Sequence, residues 1–420
     1  MWAGRIGVSA TDVTRAEVAE TPAPSGEPDG GRVVPGRHEP NRAVRRAVVL
    51  LSPALIFLGI RELGLLVLTW MASRNGHSVS EALRSWDGQW FLAIAGGGYA
   101  GVPDGLVDAF GQRSAETPLA FFPGYPLVVR WFAAIDGPGG IGLVTSALTV
   151  TIVSGVVCAY GLARLGQRVR GGSRTTGLIL VALFAATPMS VVLAMAYSEA
   201  MFCAFAVWAL VGVLEKRWLL AGVCCALAGL VRSTGAALVL AVGLAALLVV
   251  IRNPRSWRAW ACGAIAPAGL VGYLAWVGTR TGEWNGWFAL QERGWGTGFD
   301  GGAATLRFSL DALADARSVL EVTTVGLILV ALVLLVVMIV RKVEWPLVVY
   351  SAGIVAMDLT SNGLMNSKAR LLVPAVTLLV PVALALTKRR MSTCVVALSA
   401  LALVSSWFGA YALTSWGYAI

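Results

Sequence analysis

The chain has 420 residues, 57% of them hydrophobic and 13% charged, with a mean hydropathy of +0.74. Soluble domains carry about 25% charged residues, so the composition excludes a soluble globular protein and indicates an integral membrane protein. The net charge of +10 is no nucleic-acid footprint. Its Lys and Arg residues gather in short loops between apolar runs, and no basic face interleaved with aromatics lies outside those loops.

In chain order, residues 1–46 are rich in Pro, Gly, Glu and Arg without apolar periodicity, which predicts a disordered cytoplasmic tail and no signal peptide. Residues 47–420 form the predicted membrane domain. Its apolar runs fall at 47–70, 141–164, 176–194, 198–214, 218–232, 234–251, 259–279, 322–340, 345–360, 371–387 and 391–413, which predicts an all-α polytopic protein with about eleven crossings. Segment 119–135 is short, holds two prolines and carries Arg130, so it is expected to be a broken or re-entrant helix beside a cavity. The Lys/Arg rule puts the loops containing Arg164, Glu215 to Arg217, Arg252 to Arg258, Arg341 and Lys388 in the cytoplasm. The N-terminus is then cytoplasmic, the C-terminus is outside, and the polar loops 72–118 and 280–321 are outer loops.

The first outer loop holds the stretch on which the reading turns, Arg84 to Tyr99. A helix from Glu81 to about Ala95 would align Leu83, Trp86, Trp90 and Ile94 on one face, an amphipathic helix lying in the interfacial plane with Asp87 beside it. Asp87 can act as a base, and Trp86, Trp90 and Tyr99 can stack on a sugar or anchor the interface. Phe121, Phe122, Pro123, Tyr125 and Pro126 can line a cavity near Asp87. Glu199 lies where an apolar run reaches the outer surface, where a carboxylate is functional or pairs with an arginine. Arg232, Lys368 and Arg370 lie outside against the charge trend, which suggests an anionic partner, a phosphate or Glu199. Trp295 belongs to the second outer loop. There Glu283, Glu292 and Asp300 read mainly as a solvated face, and Leu306, Leu310, Leu313 and Val319 suggest another interfacial helix. Asp104, Asp108 and Glu116 read as loop surface. The six cysteines all fall inside apolar runs and read as small buried hydrophobes. With His38 in the tail and His77 in a loop, no metal-ligand spacing is present. A divalent metal enters the reading only if Asp87 and Glu199 converge, and no cofactor is expected.

Four segments in this order, Trp86-Asp87 through Tyr99, Phe121-Phe-Pro with Pro126, Ala196 to Glu199 with Phe202, and Leu230 to Gly235, resemble the PIG-V mannosyltransferases within the GT-C class of polytopic glycosyltransferases. The resemblance runs from about residue 50 to 390. It implies transfer of mannose, with inversion, from a polyprenyl-phosphate donor on the non-cytoplasmic face, with Asp87 as catalytic base. Glu199 and Arg232 carry over as pattern positions without a proven role. The chain's composition suggests a bacterial member, whose acceptor would be a mannolipid, lipoglycan or other envelope glycan. The expected partners are therefore the lipid-linked donor, a glycolipid or glycan acceptor and the bilayer. A transporter or flippase of a lipid-linked sugar is the rival, and arabinose or glucose are rival sugars. The transporter predicts polar residues at mid-membrane and two related halves with broken helices.

Overall fold

The computed structural model describes residues 42–135, 142–315, 318–363 and 365–420. The predicted tail, save the start of the first helix, lies outside them. Among the described residues about 75% are helical and no named strand occurs, so the all-α expectation holds.

Helix α1 (Arg42–Asn75) leads to the short α2 (Val79–Ala82), α3 (Asp87–Gly97) and α4 (Gly124–Ala134). Then come α5 (Leu143–Arg168), α6 (Arg174–Ala185), α7 (Glu199–Leu214), α8 (Trp218–Gly229) and α9 (Gly235–Arg252). Next are α10 (Trp257–Ile265), α11 (Ala268–Thr281), α12 (Gly286–Trp295), α13 (Ala303–Asp315), α14 (Val319–Val340) and α15 (Trp345–Leu359). The chain ends with α16 (Lys368–Leu371), α17 (Val380–Leu386) and α18 (Met391–Thr414).

Among the described residues six segments are long and apolar enough to cross a bilayer: Arg46–Asn75, Leu143–Arg168, Gly235–Arg252, Trp257–Thr281, Val319–Val340 and Met391–Thr414. A seventh is a pair bent by 63°, Met365–Leu371 with Val376–Leu386. The other four predicted spans correspond to apolar helices of 10–17 residues, α6, α7, α8 and α15. These are shorter than the roughly 20 residues a straight crossing needs. The chain behind Pro188 makes up part of the difference, since α6 stops at Ala185 and a short 3-10 turn, Ser190–Leu193, carries the path on to α7.

Two polar ends bound this bundle. At one, Glu215 accepts from Arg164 and Arg168 at 2.5 and 2.7 Å, the Arg170 N–H donates to Glu344, and Arg174 donates to Ser52. The predicted basic loops at Arg164 to Arg174, Glu215 to Arg217 and beside Arg341 thus meet. At the other end, loops from 76–123, 282–305 and 358–370 interlock. The Ala109 N–H donates to Gly294 carbonyl, Asn362 N–H to Gly298 carbonyl, and the Trp287 indole to Ala120 carbonyl.

Segment 119–135 is broken as expected. A 3-10 turn, Thr117–Ala120, gives way at Phe121 to α4, which has 11 residues and spans roughly 16 Å, half a bilayer core. Tyr125 near the start of α4 donates to the Ala147 carbonyl one turn into α5, so α4 starts inside the bundle and does not cross it. The break exists because Gly124 lies against the 230s loop. Its N–H donates to Leu230 carbonyl at 2.8 Å, and a Cβ there would stand 2.8 Å from that oxygen.

Arg61, in the middle of α1, went unremarked in the sequence although a mid-span arginine is costly. It is 4% exposed and donates to the carbonyls of Ala185 and Ser190 and to the Ser190 hydroxyl. It therefore satisfies the backbone freed where α6 ends at the Pro188 break. Arg61→Met strands these oxygens in the bundle, and we expect it to cost at least about 2 kcal/mol. Thermal unfolding of the purified variant in detergent checks this, and a wild-type melting temperature contradicts it.

Candidate active site

The predicted helix from Glu81 to Ala95 does not form as one piece. The chain turns at Ser85–Trp86–Asp87–Gly88, closed by a Gly88 N–H bond to Ser85 carbonyl at 3.1 Å. Trp86 adopts φ 52°, ψ −117°, a backbone region that costs a non-glycine residue about 1–3 kcal/mol. The strain sits one residue before Asp87 and sets that side chain at the first position of α3. Leu83, Trp90 and Ile94 are buried in the protein, so no interfacial face exists here.

Two contacts hold the strained turn. The Ala196 N–H donates to Leu83 carbonyl at 2.8 Å. The Tyr197 hydroxyl accepts from the Asp87 N–H at 3.3 Å and donates to Ser85 carbonyl at 3.2 Å. Tyr197 is fully buried, and its ring lies 5.3 Å beneath the Arg370 guanidinium. Sequence reading placed Tyr197 in a motif but gave it no role; its hydroxyl now positions the Asp87 backbone.

Asp87 meets Arg370 at 2.5 Å, with the carboxylate side chain 26% exposed and the guanidinium 9% exposed. Glu199, fully buried at the start of α7, meets Arg232 at 2.8 Å and lies 3.8 Å from the Arg370 Nε. Arg232 also donates to the Ser198 hydroxyl at 3.0 Å. Two carboxylates and two guanidiniums thus form one chain of charge, Asp87–Arg370–Glu199–Arg232, summing to zero. Neither Glu199 oxygen gains a hydrogen bond of good geometry, and the Nε of both arginines is unpartnered. Asp87 and Glu199 do converge, and the positive charge between them is Arg370. Among the described residues no cluster of three His, Cys, Asp or Glu gathers for a metal.

The other expected site residues are placed differently. Trp90 is 6% exposed, stacks on Phe121 with centroids 5.0 Å apart and lies edge-on to Trp295 at 6.3 Å. Phe122 packs against Tyr273 and Trp287 in a separate cluster. Tyr125 is fully buried with its hydroxyl on Ala147 and Thr151. Tyr99 bonds Phe121 carbonyl and Tyr273. Trp90, Phe122 and Tyr125 are thus buried in packing and Tyr99 is half-buried, so they do not offer open faces to a sugar. Trp86 and Trp295 are half-buried near the cluster. Lys368 is turned away from the cluster, donating to the carbonyls of Asp358 and Ser361. Asp358, 4% exposed with both carboxylate oxygens unpartnered, was missed because the 345–360 run reads as uniformly apolar. The six cysteines are free and buried, as expected.

The interfacial helix expected over 306–319 is α13 only as far as Asp315, with Leu306, Leu310 and Leu313 exposed, while Val319 begins α14. Asp300 fixes its start and is no bare solvated acid. It accepts from the N–H groups of Ala304 at 2.7 Å and Gly302 at 2.8 Å, and these bonds hold its carboxyl below the ordinary range. Glu283 and Glu292 are exposed.

The fold and the cluster together define a multi-pass, all-α membrane protein with a buried ionic site at one end of its bundle. The chain is 34% identical over 160 residues to GPI alpha-1,6-mannosyltransferase 2 of Mus musculus, a match covering 36% of this chain and 29% of the relative. The same protein of Cricetulus griseus matches with the same identity and coverage. The chain thus spans less than a third of the length of the curated relatives it matches. No family model matches it.

The Asp300 cap gives a signed pH dependence. Because its folded pKa is depressed, its stabilisation is complete above the unfolded value of about 3.9 and is lost as pH falls through the folded one. Amide protection in residues 302–306, measured by hydrogen exchange and corrected for intrinsic rates, should hold from neutral pH to about 5 and then decline. Asp300→Ala should lower it already at neutral pH; unchanged protection contradicts the cap.

Proposed function

We propose that the chain is a glycosyltransferase that moves mannose from a polyprenyl-phosphate donor to a glycolipid or glycan acceptor on the non-cytoplasmic face of a membrane. The observation that carries this reading is the meeting of Asp87, Arg370, Glu199 and Arg232 at one end of a membrane bundle. Four segments far apart in sequence meet there. The partial similarity to a GPI alpha-1,6-mannosyltransferase supports the sugar, and the end of the bundle opposite the basic loops supports the side of the membrane. A bacterial envelope glycan remains the proposed acceptor.

In this reading the Asp87 carboxylate takes the proton of the acceptor hydroxyl. The acceptor oxygen forms its bond to the anomeric carbon as the bond from that carbon to the phosphate oxygen breaks, its electron pair leaving with the phosphate. Attack opposite the leaving group inverts the centre. Arg370 and Arg232 supply the charge that meets the departing phosphate, and arginine's planar fork suits that task.

The resting geometry adds an ordering. At rest the Asp87 carboxylate is engaged by the Arg370 guanidinium at 2.5 Å. A donor phosphate brings negative charge into a cluster that sums to zero and competes with Asp87 for Arg370. Donor arrival thereby frees the base, and acceptor activation follows donor binding. Glu199, fully buried, keeps Arg370 and Arg232 in place throughout and is a positioning residue.

The test is transfer of radiolabelled mannose from polyprenyl-phosphate-mannose into membrane lipids or glycans by the purified chain in vesicles. Asp87→Asn keeps the size but cannot take a proton, and should lower turnover by about 10²–10⁴-fold while donor binding is no weaker, since the donor no longer competes with a carboxylate for Arg370. Retained turnover in the variant removes Asp87 as base. Absence of transfer by the wild type to any membrane acceptor overturns the assignment and returns the transporter and the other sugars.

A further inference from the structure

The opposite flank of the bundle carries a feature that the transfer site does not use. Helix α1 is a peripheral span, and only 17% of its most apolar window is buried. It is two-faced. Phe57, Arg61, Leu68 and Ala72 are buried and hold it to the bundle, with Phe57 set against Phe184 at 6.5 Å. Leu55, Leu58, Glu62, Leu66 and Trp70 recur at helical spacing along the other side, and all are exposed.

Glu62 is therefore a carboxylate on the outward face of a membrane helix. Its depth follows from the anchors at the two ends. Arg174 bonds Ser52 at the basic end and Asn75 bonds Thr414 at the other. Glu62 lies roughly 15 Å along the helix from Ser52 and 20 Å from Asn75, in the middle of the hydrocarbon. Carboxylates at this depth are expensive, and they almost always face protein, a water-filled cavity or an opposite charge. Glu62 faces none of these: no described residue forms an ion pair or hydrogen bond with it. The neighbouring Arg61 points into the bundle and is committed to backbone carbonyls, so it cannot serve.

We propose that the Leu55–Glu62–Trp70 face of α1 is the docking surface for a transmembrane helix of another protein, one that presents a basic side chain at mid-membrane depth. Charge complementarity names the occupant's chemistry. A carboxylate in hydrocarbon is satisfied most fully by a Lys or Arg on a facing helix, and the leucines on either side of Glu62 supply packing area around the pair. A second copy of this chain does not fit, because the candidate spans among the described residues carry no exposed mid-membrane cation. The surface lies on a helix outside the Asp87 cluster, so it stands whether or not the chain transfers mannose.

The full-length chain, dye-labelled at its amino terminus, is reconstituted in vesicles with synthetic leucine-rich transmembrane helices. One helix has a single central Lys, one a central Leu and one a central Glu. Energy transfer should show the central-Lys helix associating about tenfold more tightly than the central-Leu helix, with the central-Glu helix weakest. Glu62→Leu should abolish the difference while leaving thermal stability equal or higher, since it removes an unpaired charge from the hydrocarbon. Equal association of the Lys and Leu helices, or a preference that survives Glu62→Leu, overturns the proposal. A loss of stability in Glu62→Leu assigns the carboxylate to the chain's own fold and overturns it too. Self-association lost on Glu62→Leu, with no preference for the Lys helix, gives the face to a second copy and likewise overturns it.

Discussion

The structure depends on the ion pair between Arg370 and Asp87. One guanidinium, on a four-residue helix inside a bent span, reaches a carboxylate 283 positions earlier in the chain at 2.5 Å, while its Nε faces Glu199 at 3.8 Å. Burying these charges separately would be prohibitive, and burying them together is tolerable because their sum is zero. That constraint explains the geometry around them. Trp86 accepts a strained backbone so that Asp87 can begin α3, and Tyr197 holds both the turn and the guanidinium. The 121–124 segment breaks so that Gly124 can lie against the loop carrying Arg232.

A neutral cluster at rest is also a cluster that a phosphate can reorganise. Each arginine keeps a donor nitrogen without a partner, and one carboxylate, Asp87, is more exposed than the other. The exposed member is the one proposed to react and the buried member the one proposed to hold. The polar loops at this end of the bundle frame this asymmetry. Loop 282–305 bonds through backbone groups to loop 76–123 and to 358–363, so these loops interlock. Trp90, on the helix that Asp87 begins, packs together with Phe121 and Trp295.

Much of this was legible in the sequence, for physical reasons. Apolar run lengths gave the all-α membrane class and located eleven apolar elements, because hydrocarbon thickness acts on every span. The charge-poor composition made Asp87, Glu199, Arg232 and Arg370 conspicuous, and the structure brings all four together. What sequence could not supply was direction. A spacing of four put Trp86, Trp90 and Ile94 on one helix face, but a positive φ at Trp86 broke that helix, and nothing in the side-chain pattern announces such a turn. Trp90 looked like a sugar platform or interfacial anchor and Phe122 and Tyr125 like cavity liners, yet all three are buried, since aromatic residues near a site serve equally in packing. Lys368 and Arg370, two residues apart, point to different partners. Arg61, Glu62 and Asp358 were overlooked because long apolar runs were read as uniform, whereas single charges within them mark where the bundle must satisfy backbone or meet a partner.

The most direct measurement is a double-mutant cycle on Asp87→Asn and Arg370→Gln, read by unfolding of the purified chain in detergent. The account predicts that each single variant is destabilised by leaving a buried charge uncompensated, and that the double variant recovers much of the loss. The resulting coupling should be on the order of 2 kcal/mol. Additive losses would mean that Asp87 and Arg370 do not depend on one another, and the exchange of Arg370 between carboxylate and phosphate would have no basis.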